Sequence, residues 1–369
     1  MVNRRHVLKR GLAMGSALPL SLALGGCGRG GTQADAASGG GRKSEFMIGW
    51  SIYTGFMPWF YANQSGIVDK WARKYGIRIT LVQVNDYVES INQYTAGKLD
   101  GVAATTMDAL TIPAAGGRDT SVIIIGDYSN GNDGVVLKNG RSVKDIAGRP
   151  VNLVELSVSH YLLARALEQA GMKLGDVRTI NTSDADMVSA FATPEVIAVA
   201  AWNPQLAQIR KDPAANVVFD SSRIPNEILD VMNVSTDVLK ANPDLGKALA
   251  GIWYETMAII KKGDGQSKAA LDVMAKGAGT TPESLEEQIR TTYFYTSARD
   301  AAAYAESPDL ITVTDRIRQF SYSKGLFGPS ARSVDAIGIA FPGGKVLGDK
   351  GHVMLRFDPT YMKLAATGL

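Results

Sequence analysis

Short apolar runs alternate with amphipathic runs between residues 46 and 220 of this chain, which has 369 residues. Alternating or continuous apolar runs predict strands over 46–51, 77–84, 99–104, 121–126, 150–155, 195–202 and 216–220. Helical periodicity predicts helices over 58–75, 86–96, 159–170 and 184–191. Strand–helix–strand order at these lengths predicts an open α/β sheet with parallel pairing and helices on both faces. After residue 225 the pattern becomes mostly helical.

Polar residues at the predicted helix starts support this interpretation. Asp86 and Glu89 have the spacing of a capping box, and Thr106 is placed to cap a short helix. Ser142 with Asp145 starts another short helix. These side chains can accept hydrogen bonds from the first free backbone N–H groups of a helix, so each of them predicts where a helix begins.

The order of the predicted elements also indicates how the chain is divided. Residues 27–45 are rich in Gly, Ala and Ser and are predicted to form a flexible tether. Two extended crossovers, over 127–138 and 216–220, flank a middle block of further βα units. We therefore predict two lobes: 46–130 plus 220–369 form lobe 1, and 131–219 form lobe 2. Ligands of open α/β sheets bind beyond the carboxyl ends of the strands, so the cleft between the lobes is the expected site.

Residues 1–26 have the order of a secretory signal peptide: a charged segment with Arg4-Arg5, an apolar stretch, and small residues before Cys27. The paired arginines resemble a twin-arginine export signal, and the letters LGGC that end at Cys27 resemble a bacterial lipobox, in which the cysteine is acylated. A transmembrane anchor is the alternative, but Pro19 interrupts the apolar stretch, which is shorter than the ~20 residues that span a bilayer. The sequence predicts an exported lipoprotein that is anchored to a membrane through Cys27.

Charge and composition exclude several classes of function. The whole chain has a formal charge of +3, but its first 26 residues hold four basic residues and no acid, so the remainder carries −1. This balance argues against nucleic acid as a partner. Cys27 is the only cysteine, which excludes intramolecular disulfides and thiolate metal sites. The three histidines, His6, His160 and His352, are too few for a histidine-rich metal site.

No motif for catalysis or for a cofactor is present. The sequence has no phosphate-binding glycine loop with lysine, no His-Glu-x-x-His and no Gly-x-Ser-x-Gly. Ser159 and His160 are neighbours in sequence, which is no indication of a nucleophile–base contact. We therefore predict a protein that is not an enzyme and has no catalytic residues, metal or cofactor.

Four segments carry a resemblance to a known family: GWSIYTGFMPWFYANQSGIVDKWARKYGI, GKLDGVAATTMDAL, GDYSNGNDGVVLK and SVKDIAGRPVNLVELSVSHYLLARALEQAGM. They resemble the solute-binding proteins of ABC importers of the nitrate/taurine/thiamine-pyrimidine type, and most of all the branch encoded beside urea carboxylases. The resemblance implies a type II periplasmic-binding-protein fold, with two α/β lobes joined by a two-segment hinge and a ligand trapped by closure. It also implies a periplasmic monomer that delivers urea or guanidine to a permease with a separate ATPase subunit.

The charged residues at the predicted strand ends indicate what the cleft would hold. They are Asp108, Asp127, Asp133, Glu155, Asp184, Asp186, Asp220 and a single base, Arg223. An oxyanion such as nitrate or a sulfonate would need basic side chains or free helix-start amides. Carboxylates and aromatic rings instead favour planar N–H donors and delocalised cations. The excess of carboxylates and aromatic rings at the strand ends favours guanidinium, an amidine or urea as the ligand.

The candidate ligand-binding residues are Trp50, Tyr53, Thr106, Asp108, Asn130, Asp133, Glu155, Ser157, His160, Trp202 and Asn203. Each also has a purely structural explanation: the aromatic rings can fill the core, Thr106 and Ser157 can cap helices, and Asn130 can serve a turn. Glu155 is the preferred acid, because a buried carboxylate at the end of its strand would need a cationic partner.

Two choices stay open in the sequence. Urea needs a donor such as Asn130, Ser157 or Asn203, whereas guanidinium needs only acceptors, and residues of both kinds are present. Alternatives within the same fold are a thiamine pyrimidine and a taurine-like ligand. Alternatives of another class are a tethered hydrolase and a sensor subunit.

Overall fold

The computed structural model describes residues 43–369. The predicted signal peptide and Cys27 lie outside this range, as does most of the predicted tether. The prediction that residues up to 45 belong to the tether is wrong at its end: Lys43 Nζ lies 2.5 Å from Asp100 Oδ1, and the first strand begins at Glu45. Within residues 43–369, no helix has the length and apolar character needed to cross a membrane.

Fourteen strands lie in the described range. They are β1 (Glu45–Trp50), β2 (Arg78–Gln83), β3 (Gly101–Thr105), β4 (Thr120–Ser129), β5 (Asp133–Lys138), β6 (Pro150–Leu153), β7 (Arg178–Asn181), β8 (Ala198–Trp202), β9 (Ala215–Asp220), β10 (Leu229–Ser235), β11 (Thr292–Phe294), β12 (Gly338–Ala340), β13 (Val346–Leu347) and β14 (Val353–Phe357). The predicted strands are present with shifted ends, and the largest shifts are at the start of β8, which begins at Ala198 and not at residue 195, and at the end of β4, which ends at Ser129 and not at residue 126.

The strands form two sheets. The large sheet has the order β13-β12-β14-β4-β10-β3-β1-β2, with β11 paired to β4, and the small sheet has the order β7-β6-β8-β5-β9. The chain passes from the large sheet to the small one between β4 and β5 and returns between β9 and β10. A strand in each sheet is antiparallel to both of its neighbours: β10 between β3 and β4, and β5 between β8 and β9. The prediction of parallel pairing is therefore correct only in part, because both sheets are mixed.

The α-helices of the described range are α1 (Met57–Gln64), α2 (Ile67–Lys74), α3 (Tyr87–Thr95), α4 (Thr106–Ala109), α5 (Val158–Gln169), α6 (Asp184–Ala192), α7 (Gln205–Ile209), α8 (Thr236–Ala241), α9 (Pro243–Lys262), α10 (Gly265–Gly277), α11 (Pro282–Arg290), α12 (Ala298–Ala305), α13 (Pro308–Ser323) and α14 (Thr360–Thr367). The predicted single helix over 58–75 is two helices. Gly66 adopts a left-handed conformation with φ 76° and separates α1 from α2.

Two predictions about helix starts need correction. Thr105, not Thr106, caps α4, since its Oγ1 accepts the Asp108 N–H. Asp86 caps α3 as predicted, but the Glu89 carboxylate accepts a bond from Gln93 instead of completing a capping box. The region after residue 225 is mostly helical as predicted, but it also contains β10 to β14, all of which belong to the large sheet.

Helix α13 packs against the cores of both sheets. Leu310 near its start belongs to a core cluster of the large sheet, whereas Val313 and Ile317 belong to the core of the small sheet. The two sheets are therefore linked by the two chain crossovers and by this helix. The space between the sheets, beside the crossovers, is where the candidate site lies.

Candidate ligand-binding site

Two neighbouring cavities lie between the sheets. The inner cavity, of about 40 Å³, is lined by Tyr53, Phe56, Tyr87, Thr105, Asp127, Ser129, Asn132, Asp133, Val158, Trp202, Ile228 and Asp230. The outer cavity, of about 330 Å³, shares Tyr87 and Trp202 with it. A single water needs about 10–15 Å³ on this measure, so the inner cavity has room for a ligand of a few heavy atoms.

Two carboxylates meet in the wall of the inner cavity. Asp127 on β4 and Asp230 on β10 are direct partners in the antiparallel pairing of these strands. Asp127 is buried, and its Oδ2 has no hydrogen-bond partner, whereas Asp230 is partly exposed. We call these two side chains the acid pair.

Asp133, at the start of β5, brings a third carboxylate from the small sheet. It is buried, and its Oδ2 accepts a hydrogen bond from Ser129 Oγ over 2.5 Å. Ser129 Oγ also lies 2.6 Å from Ser221 Oγ, which accepts the Gly131 N–H over 2.8 Å. Ser129 and Ser221 lie on the two crossovers between the sheets, so Asp133 belongs to a network that ties both crossovers together.

The carboxylates lie where ionisation is costly. Burial raises the pKa of Asp133 to about 6. Burial, followed by the negative charges of Asp133 and Asp108, raises the pKa of Asp230 to about 8. The pKa of Asp127 is also well above its ordinary value, because of burial and the neighbouring Asp230 carboxylate. Among residues 43–369, no lysine or arginine lines the inner cavity to offset these charges.

Aromatic rings separate the inner cavity from the outer one. The Tyr53 ring makes edge contacts with Tyr87 at 5.7 Å and with Trp202 at 5.9 Å between ring centroids. The Tyr53 hydroxyl donates a 2.6 Å hydrogen bond to Oδ2 of Asp184, which lines the outer cavity. The indole N–H of Trp202 is buried and has no hydrogen-bond partner. This wall therefore presents flat rings and one free donor.

The outer cavity has four acids in its lining, Asp86, Asp108, Glu155 and Asp184. Asp108 is buried, and its Oδ2 accepts bonds from Tyr87 at 2.7 Å and from Thr105 at 2.8 Å. Glu155 is only half-buried, and its Oε1 accepts a bond from Thr179. The predicted strand end at Glu155 is wrong: β6 ends at Leu153, and Glu155 lies in a partly exposed loop.

Comparison with known proteins identifies the family. Residues 54–252 match the family model described as "NMT1/THI5 like". The chain belongs to this family. The predicted resemblance is thereby confirmed at family level, whereas the branch with urea or guanidine cargo stays a prediction.

Two relatives show what this NMT1/THI5-like chain is similar to. A Brucella abortus (strain 2308) protein whose name describes it as a binding protein is 26% identical over 186 residues, which is 49% of this chain and 56% of the relative. The taurine-binding periplasmic protein of Escherichia coli (strain K12) is 28% identical over 119 residues, 31% of this chain and 37% of the relative. The chain thus spans about half or less of the length of the curated relatives that it matches.

A solved structure confirms the predicted fold. The periplasmic aliphatic sulphonate binding protein SsuA from Escherichia coli superposes with a TM-score of 0.66 over 78% of this chain and 95% of that chain, at 18% identity. The two mixed sheets of this NMT1/THI5-like protein therefore form the α/β periplasmic-binding-protein fold.

The predicted site residues divide into three groups. Tyr53, Asp133 and Trp202 line the inner cavity, and Asp108, Glu155, Ser157 and Trp202 line the outer one. Trp50, Thr106, Asn130, His160 and Asn203 line neither.

The third group has structural contacts. Trp50 packs against Phe60, with 5.9 Å between ring centroids. His160 lies against Phe320, and burial lowers its pKa to about 4. Asn203 Oδ1 accepts the N–H of Ala207.

The remaining predicted polar residues also have local roles. Ser157 caps α5 and donates to the Val154 carbonyl. The Asn130 N–H donates to the Thr291 carbonyl. Thr106 is buried, and its hydroxyl has no hydrogen-bond partner.

Sequence reasoning missed Asp230, Tyr87, Asn132 and Ser129, all of which line the inner cavity. Asp230 was missed because β10 follows residue 225, where the pattern was interpreted as helical. The partial alternation of apolar and polar residues over 229–234 was the available signal. Within residues 43–369, no group of three or more His, Cys, Asp or Glu side chains is arranged to hold a metal ion.

Proposed function

We propose that this protein is a periplasmic solute-binding lipoprotein that captures guanidinium, or a closely similar small nitrogen-rich solute, for an ABC importer. The names of the relatives support a binding role and the periplasm, and a solved structure of similar fold is described as the ligand-binding component of an ABC-type import system. The predicted lobes, 46–130 plus 220–369 and 131–219, would close over the ligand as a monomer.

The observation that carries the choice of ligand is the imbalance of donors and acceptors around the inner cavity. Among the buried side-chain atoms of the described lining residues, the acceptors Asp127 Oδ2, Asn132 Oδ1 and Asp133 Oδ1 have no hydrogen-bond partner, whereas the one such donor is Trp202 Nε1. Guanidinium consists only of donors around a delocalised positive charge, so it complements carboxylates and aromatic faces.

A sulfonate or nitrate would complement this cavity poorly. Relatives named for taurine and sulfonates are similar to this chain, but its described lining residues include no basic side chain to hold an anion, and the ionised forms of Asp127, Asp133 and Asp230 would repel one. Urea is the second candidate, because the free indole N–H of Trp202 could donate to its carbonyl oxygen.

A thermal-shift panel tests the proposal. The purified protein would be heated with guanidinium, urea, taurine, nitrate and a pyrimidine, each at several concentrations. A ligand at a hundred times its dissociation constant stabilises by about 2.7 kcal/mol, so guanidinium should raise the melting temperature at low concentration. Sodium chloride at equal ionic strength controls for salt. Stabilisation by taurine or nitrate alone would overturn the choice of a cation.

The lipid anchor has its own test. Cells that express the chain would be labelled with a clickable palmitate analogue, and the label should be absent from Cys27→Ser. Arg4→Lys with Arg5→Lys should retain the chain in the cytoplasm if export uses the paired arginines. Label on the Cys27→Ser variant would contradict the assignment of the lipobox.

A further inference from the structure

Gly55 lies directly against the acid pair. It is the middle residue of the turn Thr54–Phe56, which connects β1 to α1. A Cβ atom at this position would lie 2.4 Å from Asp230 Oδ2, 2.7 Å from Asp127 Oδ2 and 3.0 Å from Asp127 Oδ1. The two carboxylates therefore converge on the space that the missing side chain leaves.

The need for glycine at this position is steric. Gly55 does not adopt a left-handed conformation, so its backbone does not require glycine. The atoms that a methyl group would displace are the ends of two aspartate side chains and not backbone atoms. An alanine can therefore be accommodated by the fold, but only by moving the carboxylates.

We propose that Gly55 is the positioning residue of the acid pair: its missing side chain sets where the Asp127 and Asp230 carboxylates lie, and thereby sets the geometry of the cation site. This inference rests on the proposed function for its binding consequence. Gly55 does not itself line the inner cavity, but lines a recess of about 10 Å³ behind the acid pair. Its effect on a ligand must therefore pass through the two aspartates.

The charges around the acid pair allow the effect of its spacing to be measured without a ligand, as the pH dependence of stability. Asp133 from β5 and Asp108 from α4 add negative charge, and Tyr87 from α3 is held by Asp108. No lysine or arginine of the described residues lines this cavity. Two close carboxylates without a cation are stabilised when one of them is protonated, so their separation controls the pH dependence of folding.

The experiment compares Gly55→Ala with Gly265→Ala. Gly265 begins α10, and a Cβ there would meet nothing within 4 Å. Gly55→Ala is expected to weaken guanidinium binding at least tenfold in calorimetric titration. It should also flatten the change in melting temperature of the ligand-free protein between pH 5 and pH 8. Gly265→Ala should match the wild type in both measurements.

A double variant separates positioning from general disruption. Asp230→Ala removes one member of the acid pair, so no separation between two carboxylates remains for Gly55→Ala to change, and Gly55→Ala in that background should leave the pH profile of melting unchanged. The same flattening in both backgrounds, or a wild-type pH profile for Gly55→Ala, would overturn the inference. If the wild type binds no guanidinium, the proposed function fails, whereas the pH profiles still decide the role of Gly55.

Discussion

The hydroxyl of Tyr53 donates a hydrogen bond to Asp184 Oδ2 over 2.6 Å, and this bond joins the large-sheet part of the chain to the small-sheet part. Tyr53 follows β1 of the large sheet, and Asp184 is the first residue of α6, which packs on β8 of the small sheet. The Tyr53 ring lines the inner cavity and contacts Tyr87 and Trp202, the two rings that line both cavities, so the bond to Asp184 supports the wall between the cavities.

Tyr53→Phe should make the ligand leave faster. The ring contacts with Trp202 and Tyr87 are kept, but the bond to Asp184 is lost, at a cost of about 1 kcal/mol, or about fivefold in affinity. Stopped-flow measurement should show the loss mainly in the dissociation rate. Tyr293→Phe, at a ring that is 48% exposed and outside both cavities, is the matched control. An unchanged dissociation rate for Tyr53→Phe would show that the bond does not hold the closed form.

Asp230→Asn should weaken guanidinium binding far more than Glu155→Gln does. Asp230 lines the inner cavity, whereas Glu155 lines the outer one and already accepts a bond from Thr179. Loss of a charge-assisted contact costs about 2 kcal/mol or more, whereas we expect less than threefold for Glu155→Gln. Calorimetric titration measures both, and urea serves as a neutral comparison ligand. If Glu155→Gln proves the more damaging change, the ligand lies in the outer cavity.

The ligand-free protein should lose stability as pH rises from about 4 to about 8. The pKa of Asp133 is raised to about 6 and that of Asp230 to about 8, so the folded state holds protons that the unfolded chain releases near pH 4. This contribution to the free energy of unfolding is complete below pH 4 and is lost as pH passes these values. Guanidinium affinity should rise over the same range, because the cation needs ionised carboxylates.

Scanning calorimetry at pH 5, 6.5 and 8 measures this effect without a denaturant, which matters because both common denaturants are candidate ligands. Asp230→Asn should show a smaller decrease in melting temperature over this range than the wild type. A wild-type protein that is more stable at pH 8 than at pH 5, with Asp230→Asn unchanged in slope, would contradict the assignment.

The sequence predicts those parts of the site that depend on the order of neighbouring elements along the chain. Tyr53 follows a predicted strand, Trp202 ends another and Asp133 lies in a predicted crossover, and the structure places all three at the inner cavity. Asp230 could not be placed in the same way, because β10 inserts between β3 and β4 from more than a hundred residues further along the chain. Local periodicity carries no information on where β10 inserts in the sheet. The acid pair depends on this insertion, because Asp230 lies on β10.

The error over Glu155 has a different cause. The predicted strand continues to residue 155, but β6 ends two residues earlier, and the Leu156 backbone turns into a left-handed conformation with φ 66°. Strand ends are decided by tertiary contacts and turn geometry, and the loop that follows β6 places Glu155 in the lining of the outer cavity. Trp50 was a candidate for ligand contact, but its ring packs against Phe60. This contact is tertiary, so the sequence pattern around Trp50 could not show it.

Glu227 is the side chain whose loss should destabilise the connection between the sheets most clearly. It is buried, and its carboxylate accepts hydrogen bonds from Tyr161 at 2.5 Å and Arg165 at 2.8 Å on α5, and from Arg316 at 2.6 Å on α13. Glu227→Gln removes the negative charge and leaves Arg165, whose side chain is 12% exposed, without its buried partner. The expected cost is about 3 kcal/mol in the free energy of unfolding.

Glu168→Gln is the matched control for this change, because Glu168 also pairs with Arg165 but its side chain is 69% exposed. Exposed pairs of this kind contribute little, so the control should stay within about 0.5 kcal/mol of the wild type. Thermal unfolding at pH 7 compares the three proteins. Equal losses for the two variants would mean that burial of Glu227 between α5 and α13 does not strengthen its ion pairs.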